Sequence, residues 1–229
     1  KLSRGAFECL MSKTPFSYSY IDDEANEGRM GTRLMAIVAE VSGRRLYLSP
    51  TPEHEALAQD LVPTWKPDTP SRGTWASNAQ GRRYGFNTYG DYFTKRQLIA
   101  LTTFADLAGE MREIVMADAL AGGLSDDPTP LRDGGRGAVA YAEAVGVYLA
   151  LATDRLADRN SSLCGWDLAQ AARGREATVR NVFSRQAISM AWDFVEVNIL
   201  GNFAGGFDSA HRAVINVLER IQPQTQSYA

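Results

Sequence analysis

Three short stretches of the chain pair a cation with a carboxamide: Lys95-Arg96-Gln97, Arg159-Asn160 and Arg185-Gln186. A guanidinium holds a phosphate or a guanine edge with two parallel donors, and a carboxamide reads a base edge with one donor and one acceptor. Each stretch stands at an expected helix end, where backbone groups lack helical partners. These residue types therefore suit contact with a polyanion. They equally suit helix capping and pairing with Asp91, Asp158 and Asp193. No catalytic set accompanies them. His54 and His211 are the two histidines, and both lie on helical patterns among surface residues, so no Ser-His-Asp or Cys-His arrangement can be built. Cys9 and Cys164 are the two cysteines. They exclude a disulfide framework and read as free thiols. Structural zinc takes four thiolate or imidazole ligands, and these four residues are scattered, so no metal is expected.

At 229 residues the chain can bury a sizeable core in one or two domains. Apolar content of 45% and charged content of 22% are ordinary for a soluble protein. Without an apolar run near 18 residues or a signal-like start, the expectation is a cytoplasmic protein with no membrane partner. A net charge of −3 argues against a free-standing nonspecific DNA binder. The charge is uneven, however: residues 155–185 are basic, whereas residues 104–127 carry acids against a single arginine, Arg112. One basic face on an acidic body is compatible with this distribution. The chain opens at Lys1 and reads as a fragment of a longer protein.

The positioning elements follow from local signals. Strands are expected around 5–10 and 15–20. Two β-rich runs, 34–41 and 44–49, flank Ser42-Gly43 as a hairpin. Thr51-Pro52-Glu53 starts a helix that runs to about Gln59 or Leu61, with Thr as cap and Pro in the first turn. Prolines 63, 67 and 70 make 63–83 an irregular connector, in which Trp65 and Trp75 pin the segment or offer stacking surfaces. Thr94 and Gln97 form a capping box that opens a long helix, 95–120, closed by Gly122-Gly123. Its apolar face runs through Leu98, Leu101, Ala105, Ala108 and Met111. Lys95 and Arg96 in its first turn oppose the helix dipole, which makes an anionic partner worth considering. A further helix covers 138–158, where Gly146 costs about 1 kcal/mol against alanine and allows close packing. Ile188, Trp192 and Val195 at helical spacing predict a helix in 181–198. The last helix is expected at 207–221, and 223–229 is an unstructured tail. The fold class is α+β: a small β-rich, ribbon-like part over 1–62 with a hairpin and one helix, then a mainly α-helical body over 84–222.

Four segments, in order, resemble the central region of adenine-specific DNA methylases that carry a zinc-ribbon segment and an N-terminal domain of unknown function. They are EGRMGTRLMAIVAEVSGRRLYLSPTPEHEA (27–56), YGFNTYGDYFTKRQLIALTTFADL (84–107), YLALATDRLADRNSSLCGWD (148–167) and VFSRQAISMAWDFVEVN (182–198). The resemblance covers roughly residues 8 to 220. It implies an inserted region of an S-adenosylmethionine-dependent enzyme, with DNA and the rest of the methyltransferase as partners. In that family a ribbon holds metal through paired Cys-x-x-Cys; here the matching position reads Cys9-Leu10-Met11-Ser12, with no second pair. The Pro-Pro tetrapeptide that holds a flipped adenine is absent, so the fragment is expected to be inactive alone and to need no cofactor itself. Asn202-Phe203-Ala204-Gly205-Gly206 mimics a cofactor loop, since Phe194–Leu200 could be a strand and a helix follows, but no acidic residue opens the turn. Lys95, Arg96, Gln97, Arg159, Asn160, Arg185 and Gln186 are the expected DNA-binding residues, converging on one face. The competing expectation is a non-catalytic helical interaction or scaffold module of a DNA modification or defence system.

Overall fold

The computed structural model describes residues 6–71, 83–173, 177–184 and 188–221. The fold is α+β: small antiparallel hairpins and a mainly helical body. It divides into two compact units, Lys1–Leu98 with Arg185–Trp192, and Ile99–Ser184 with Asp193–Ala229.

In the first unit, β1 (Ala6–Glu8) and β2 (Pro15–Ser17) pair as an antiparallel hairpin with Phe7 opposite Phe16. These two rings stack at 5.6 Å, and Tyr18 meets Phe7 edge-on at 4.9 Å. Aromatic contacts of this kind contribute about 1 kcal/mol each beyond area burial, and they hold the small ribbon together. Ser17 then caps α1 (Tyr18–Asn26) by accepting from the Tyr20 amide at 3.3 Å. The sequence pattern reads 15–20 as strand and passes over this helix. The strand stops at Ser17 because the Ser17 hydroxyl satisfies a first-turn amide, and the helix buries Ile21 and Ala25. The second hairpin, β3 (Ile37–Val41) and β4 (Arg44–Leu48), turns at Ser42 and Gly43 with φ of 50° and 72°. Two consecutive left-handed residues give the two-residue turn whose twist matches the strands. Thr51 and His54 form a reciprocal capping box that opens α2 (Pro52–Gln59).

The long helix α3 (Lys95–Ala121) ends at Gly122-Gly123, with Gly123 at φ 92°. In the second unit α4 (Ala138–Ala157) packs against α6 (Phe207–Leu218). Alanines 138, 140, 142 and 152 are buried along α4 together with Leu156. Phe104 stacks on Phe207 at 4.6 Å, and Phe207 on His211 at 5.9 Å. Between α4 and α6 in the chain lie β5 (Trp166–Asp167), α5 (Leu168–Ala172) and β6 (Thr178–Val179), with β5 and β6 paired antiparallel.

Three further expectations are corrected. The helix predicted over 181–198 does not form: Val182–Ser184 is a single 3-10 turn and 188–198 is irregular. The run is crowded with β-branched and aromatic residues, which lose rotamer freedom in a helix, and its backbone goes elsewhere, Val195 donating to the Cys164 carbonyl at 2.7 Å. A strand over 194–200 is absent too, since Phe194 makes only an isolated bridge to Gly165. Finally, a Cβ at Gly146 would meet nothing within 4 Å, so this glycine is not there for close packing.

Candidate nucleic-acid interface

The start of α3 is built by a polar network just ahead of it. Residues 66–71 run against 87–91: Ser71 donates to the Asn87 carbonyl, Tyr89 to Thr69, and Gly90 to Pro67 at 3.0 Å. A Cβ at Gly90 would lie 2.6 Å from the Pro67 oxygen, so only glycine allows that approach. Asp91 is the hub. Its Oδ1 accepts from Lys66 Nζ at 2.6 Å, and its Oδ2 accepts from the amides of Asn87 and Thr88 and from the Thr88 hydroxyl at 2.8 Å. Burial disfavours the charge on Asp91, yet Lys66 and the Thr88 donors outweigh it and hold the carboxyl below its ordinary value. Ser71 and the Tyr92 hydroxyl share a buried hydrogen bond at 2.9 Å.

The three candidate residues follow at once. Gln97 is 4% exposed. Its Oε1 accepts from the Thr94 backbone amide at 2.9 Å while the Gln97 backbone N–H donates to Thr94 Oγ1 at 3.3 Å, which completes the expected capping box. Lys95 reaches the carbonyl of Gln59 at 3.0 Å. That oxygen ends α2, so the ammonium that opposes the dipole of α3 lies where the dipole of α2 favours it. Arg96 is half-buried. Among aromatic groups of this unit, Trp192 is 53% exposed and Tyr84 meets it edge-on at 5.3 Å; Trp65 is 45% exposed. Trp75, Arg185 and Gln186 lie outside the described residues.

The end of α4 is the other hub, and it lies wholly in the second unit. The Asp158 carboxylate accepts from Asn181 Nδ2 at 3.0 Å and from the Phe183 amide at 3.0 Å, while the Asp158 carbonyl takes the Val182 amide at 2.8 Å. Arg159 donates through Nη1 to the Val179 carbonyl at 2.9 Å. Asn160, 2% exposed, donates from Nδ2 to the carbonyls of Leu156 and Gly205, both at 2.8 Å. Arg180 pairs with Asp167 at 3.2 Å and keeps that carboxyl below its ordinary value. Cys164 is fully buried, and burial raises its thiol pKa. Segment 158–164 thus ties Val179, 181–183, Val195 and Gly205 to the end of one helix.

The amide and cation chemistry read from the sequence is used in both places to organise backbone. Lys95, Arg96 and Gln97 share one helical turn, and Arg159 and Asn160 share one helix end. Lys66 and Asn181 are hub residues that spacing alone does not single out; Asp91, an expected pairing partner, also stands three residues after Thr88, the spacing of a capping pair.

The segment that mimics a cofactor loop, 202–206, is a tightly closed turn. Gly205 is buried, its carbonyl is taken by Asn160, and a Cβ at Gly206 would overlap the Gly201 carbonyl. The turn is closed on itself, with the Phe207 amide donating to Ile199. At Cys9 the Ser12 amide donates to Sγ at 3.4 Å, and the hydrogen bonds to Ser12 lower the thiol pKa. Among the described residues no group of three or more His, Cys, Asp or Glu could hold a metal ion, and no helix is long and apolar enough to cross a membrane. The chain matches no protein-family model, no curated protein and no solved structure.

Proposed function

We propose that the chain is the central, inserted region of an S-adenosylmethionine-dependent adenine-specific DNA methyltransferase of the cytoplasm, contributing to DNA binding or target recognition and inactive alone. The observation that carries this reading is the ordered resemblance of 27–56, 84–107, 148–167 and 182–198 to that family. Two of those segments also contain the polar hubs at Asp91 and Asp158, which supports a specific, built role for them. Cofactor and flipped-base chemistry would come from parts of the parent enzyme beyond this chain, and S-adenosylmethionine would be held there. Lys95, Arg96, Arg159 and Arg185, with Gln97, Asn160 and Gln186, are the residues through which DNA would be held. Tritium transfer from S-adenosylmethionine to duplex DNA should occur with the parent enzyme and not with this chain. In the parent, Arg185→Ala should weaken DNA binding and flatten its salt dependence by about one contact. Unchanged affinity would remove Arg185 from the reading, and methyl transfer by the chain alone would overturn it.

One observation favours the second reading, a non-catalytic helical interaction module. The predicted apolar face of α3 is buried at Leu98 and Leu101 but 36% exposed at Met111; elsewhere on the helix Leu107 is 47% and Ile114 53% exposed, and on α4 Val147 and Leu151 are exposed as well. Apolar side chains repeated along exposed helices suit a protein partner. Basic residues would then contribute nothing to DNA affinity, which the same Arg185→Ala measurement reads.

A further inference from the structure

Phe183 is the most exposed aromatic side chain among the described residues, at 71%, but the backbone that carries it is tied down. Its turn, Val182–Ser184, lies against the end of α4 within the second unit. Asp158 Oδ1 accepts the Phe183 amide at 3.0 Å, and the Asp158 carbonyl accepts the Val182 amide at 2.8 Å. Asn181 Nδ2 donates to both carboxylate oxygens of Asp158, at 3.2 and 3.0 Å, and the Ser184 hydroxyl donates back to the Asn181 carbonyl at 2.8 Å. Hydrophobic stabilisation follows the apolar area removed from water, so a ring this exposed contributes little to the fold. A ring with two rotatable bonds on a fixed turn also loses little freedom when something covers it. The mount is therefore suited to presenting the ring to a partner.

The charge of this part of the chain favours an anionic partner. Residues 155–185 carry six arginines against Asp158, Asp167 and Glu176, in a chain of net charge −3. Arg180 is taken up by Asp167. Arg159 donates to the Val179 carbonyl, a neutral group, and so keeps its charge. Arg155 is exposed in the last turn of α4. A basic segment that also presents an aromatic ring can hold nucleic acid by its phosphates and by a base face together. Methylation of an adenine takes that base out of the duplex, and the emptied step exposes the faces of its neighbours. Phenylalanine is one of the apolar side chains that enter a base step as a wedge. We propose that Phe183 enters an unstacked step of duplex DNA and stacks on the face of a base exposed there. The proposal rests on the DNA-modification reading and locates a base contact that the cation-plus-amide stretches do not include.

The test is fluorescence anisotropy with the 229-residue chain on a fully paired duplex and on one carrying a single mismatched adenine, a base that is cheaper to unstack. The wild type should prefer the mismatched duplex. Phe183→Ala should bind that duplex about 5- to 100-fold more weakly, which is the loss of about 1–3 kcal/mol of stacking at about 1.4 kcal/mol per factor of ten. Stacking releases no counterions, so the dependence of affinity on salt should keep its wild-type slope. Phe183→Trp should retain the affinity, since stacking needs a flat ring and not one particular ring. Thermal melts of both variants should superimpose on the wild type, because the ring is exposed. A lowered Tm for Phe183→Ala would make the ring part of the fold and overturn the proposal. Weaker binding with a flatter salt slope would assign the effect to phosphate contacts and overturn it as well. Equal affinity of Phe183→Ala and the wild type for the mismatched duplex overturns it and leaves the DNA reading standing. Absence of wild-type binding to either duplex at low salt overturns the reading, and the proposal with it.

Discussion

Replacing Asn160 by alanine separates a structural from a DNA-contacting role. Asn160 is 2% exposed, and its Nδ2 bridges the carbonyls of Leu156 and Gly205 at 2.8 Å. The Leu156 carbonyl keeps a second donor, the Arg159 amide at 3.0 Å. The Gly205 carbonyl, in a buried turn, loses the donor that holds it. An unmet buried carbonyl costs about 1–3 kcal/mol, and the lost hydrogen bond to Leu156 adds about 1 kcal/mol. The expected loss is therefore about 3 kcal/mol. For a chain of this size each kcal/mol moves Tm by about 2–4 °C, so the shift should be about 6–12 °C downward. Thermal melts followed by far-ultraviolet circular dichroism read it directly. Asn160→Asp should be at least as damaging, because an ionised carboxylate cannot donate and would face two carbonyl oxygens. A Tm shift below about 1 °C for Asn160→Ala would refute the bridging argument. If DNA affinity fell with Tm unmoved, Asn160 would be a contact residue and not a tie.

Gly146→Ala should stabilise the chain by about 0.5–1 kcal/mol, since the added Cβ meets nothing within 4 Å and the flexible residue leaves a helix interior; a lower urea midpoint would contradict this. Asp91 titrates below its ordinary value in the folded chain, so its contribution is complete above the unfolded carboxyl pKa of about 3.9 and disappears as pH falls through the lower folded value. Asp91→Asn should accordingly flatten the decline of Tm below about pH 4, and an unaltered acid limb would count against the Asp91 network. The two thiols should differ sharply in reactivity. Cys9, with its pKa lowered by Ser12, should react quickly with a disulfide reagent, whereas Cys164 should wait for unfolding. Equal native-state rates would show that Cys164 is not shielded.

Much of the scaffold is legible in the amino-acid sequence by itself, because its signals are local. The Ser42-Gly43 turn, the Thr51-Pro52 start, the Thr94/Gln97 box and the Gly122-Gly123 stop each depend on residues within one turn of one another, and each forms as read. The α+β class follows from them, since alternation and turns crowd the first third and 3.6-residue periods the remainder. Where the energy comes from distant residues, local pattern fails or leaves the outcome open. Ile188, Trp192 and Val195 have helical spacing, but the Cys164 carbonyl takes the Val195 amide, and no local pattern encodes that choice. Lys95 opposes the helix it begins; only the approach of Gln59 supplies the second helix end that accommodates its charge. The apolar stripe of α3 is visible as periodicity, whereas that Leu98 and Leu101 are covered and Met111 is not depends on what the fold brings against them. Asn160 carries an amide suited to a base edge, and tertiary structure turns it inward, because the Gly205 carbonyl, buried by the turn before α6, needs a donor that its own neighbours in sequence do not provide.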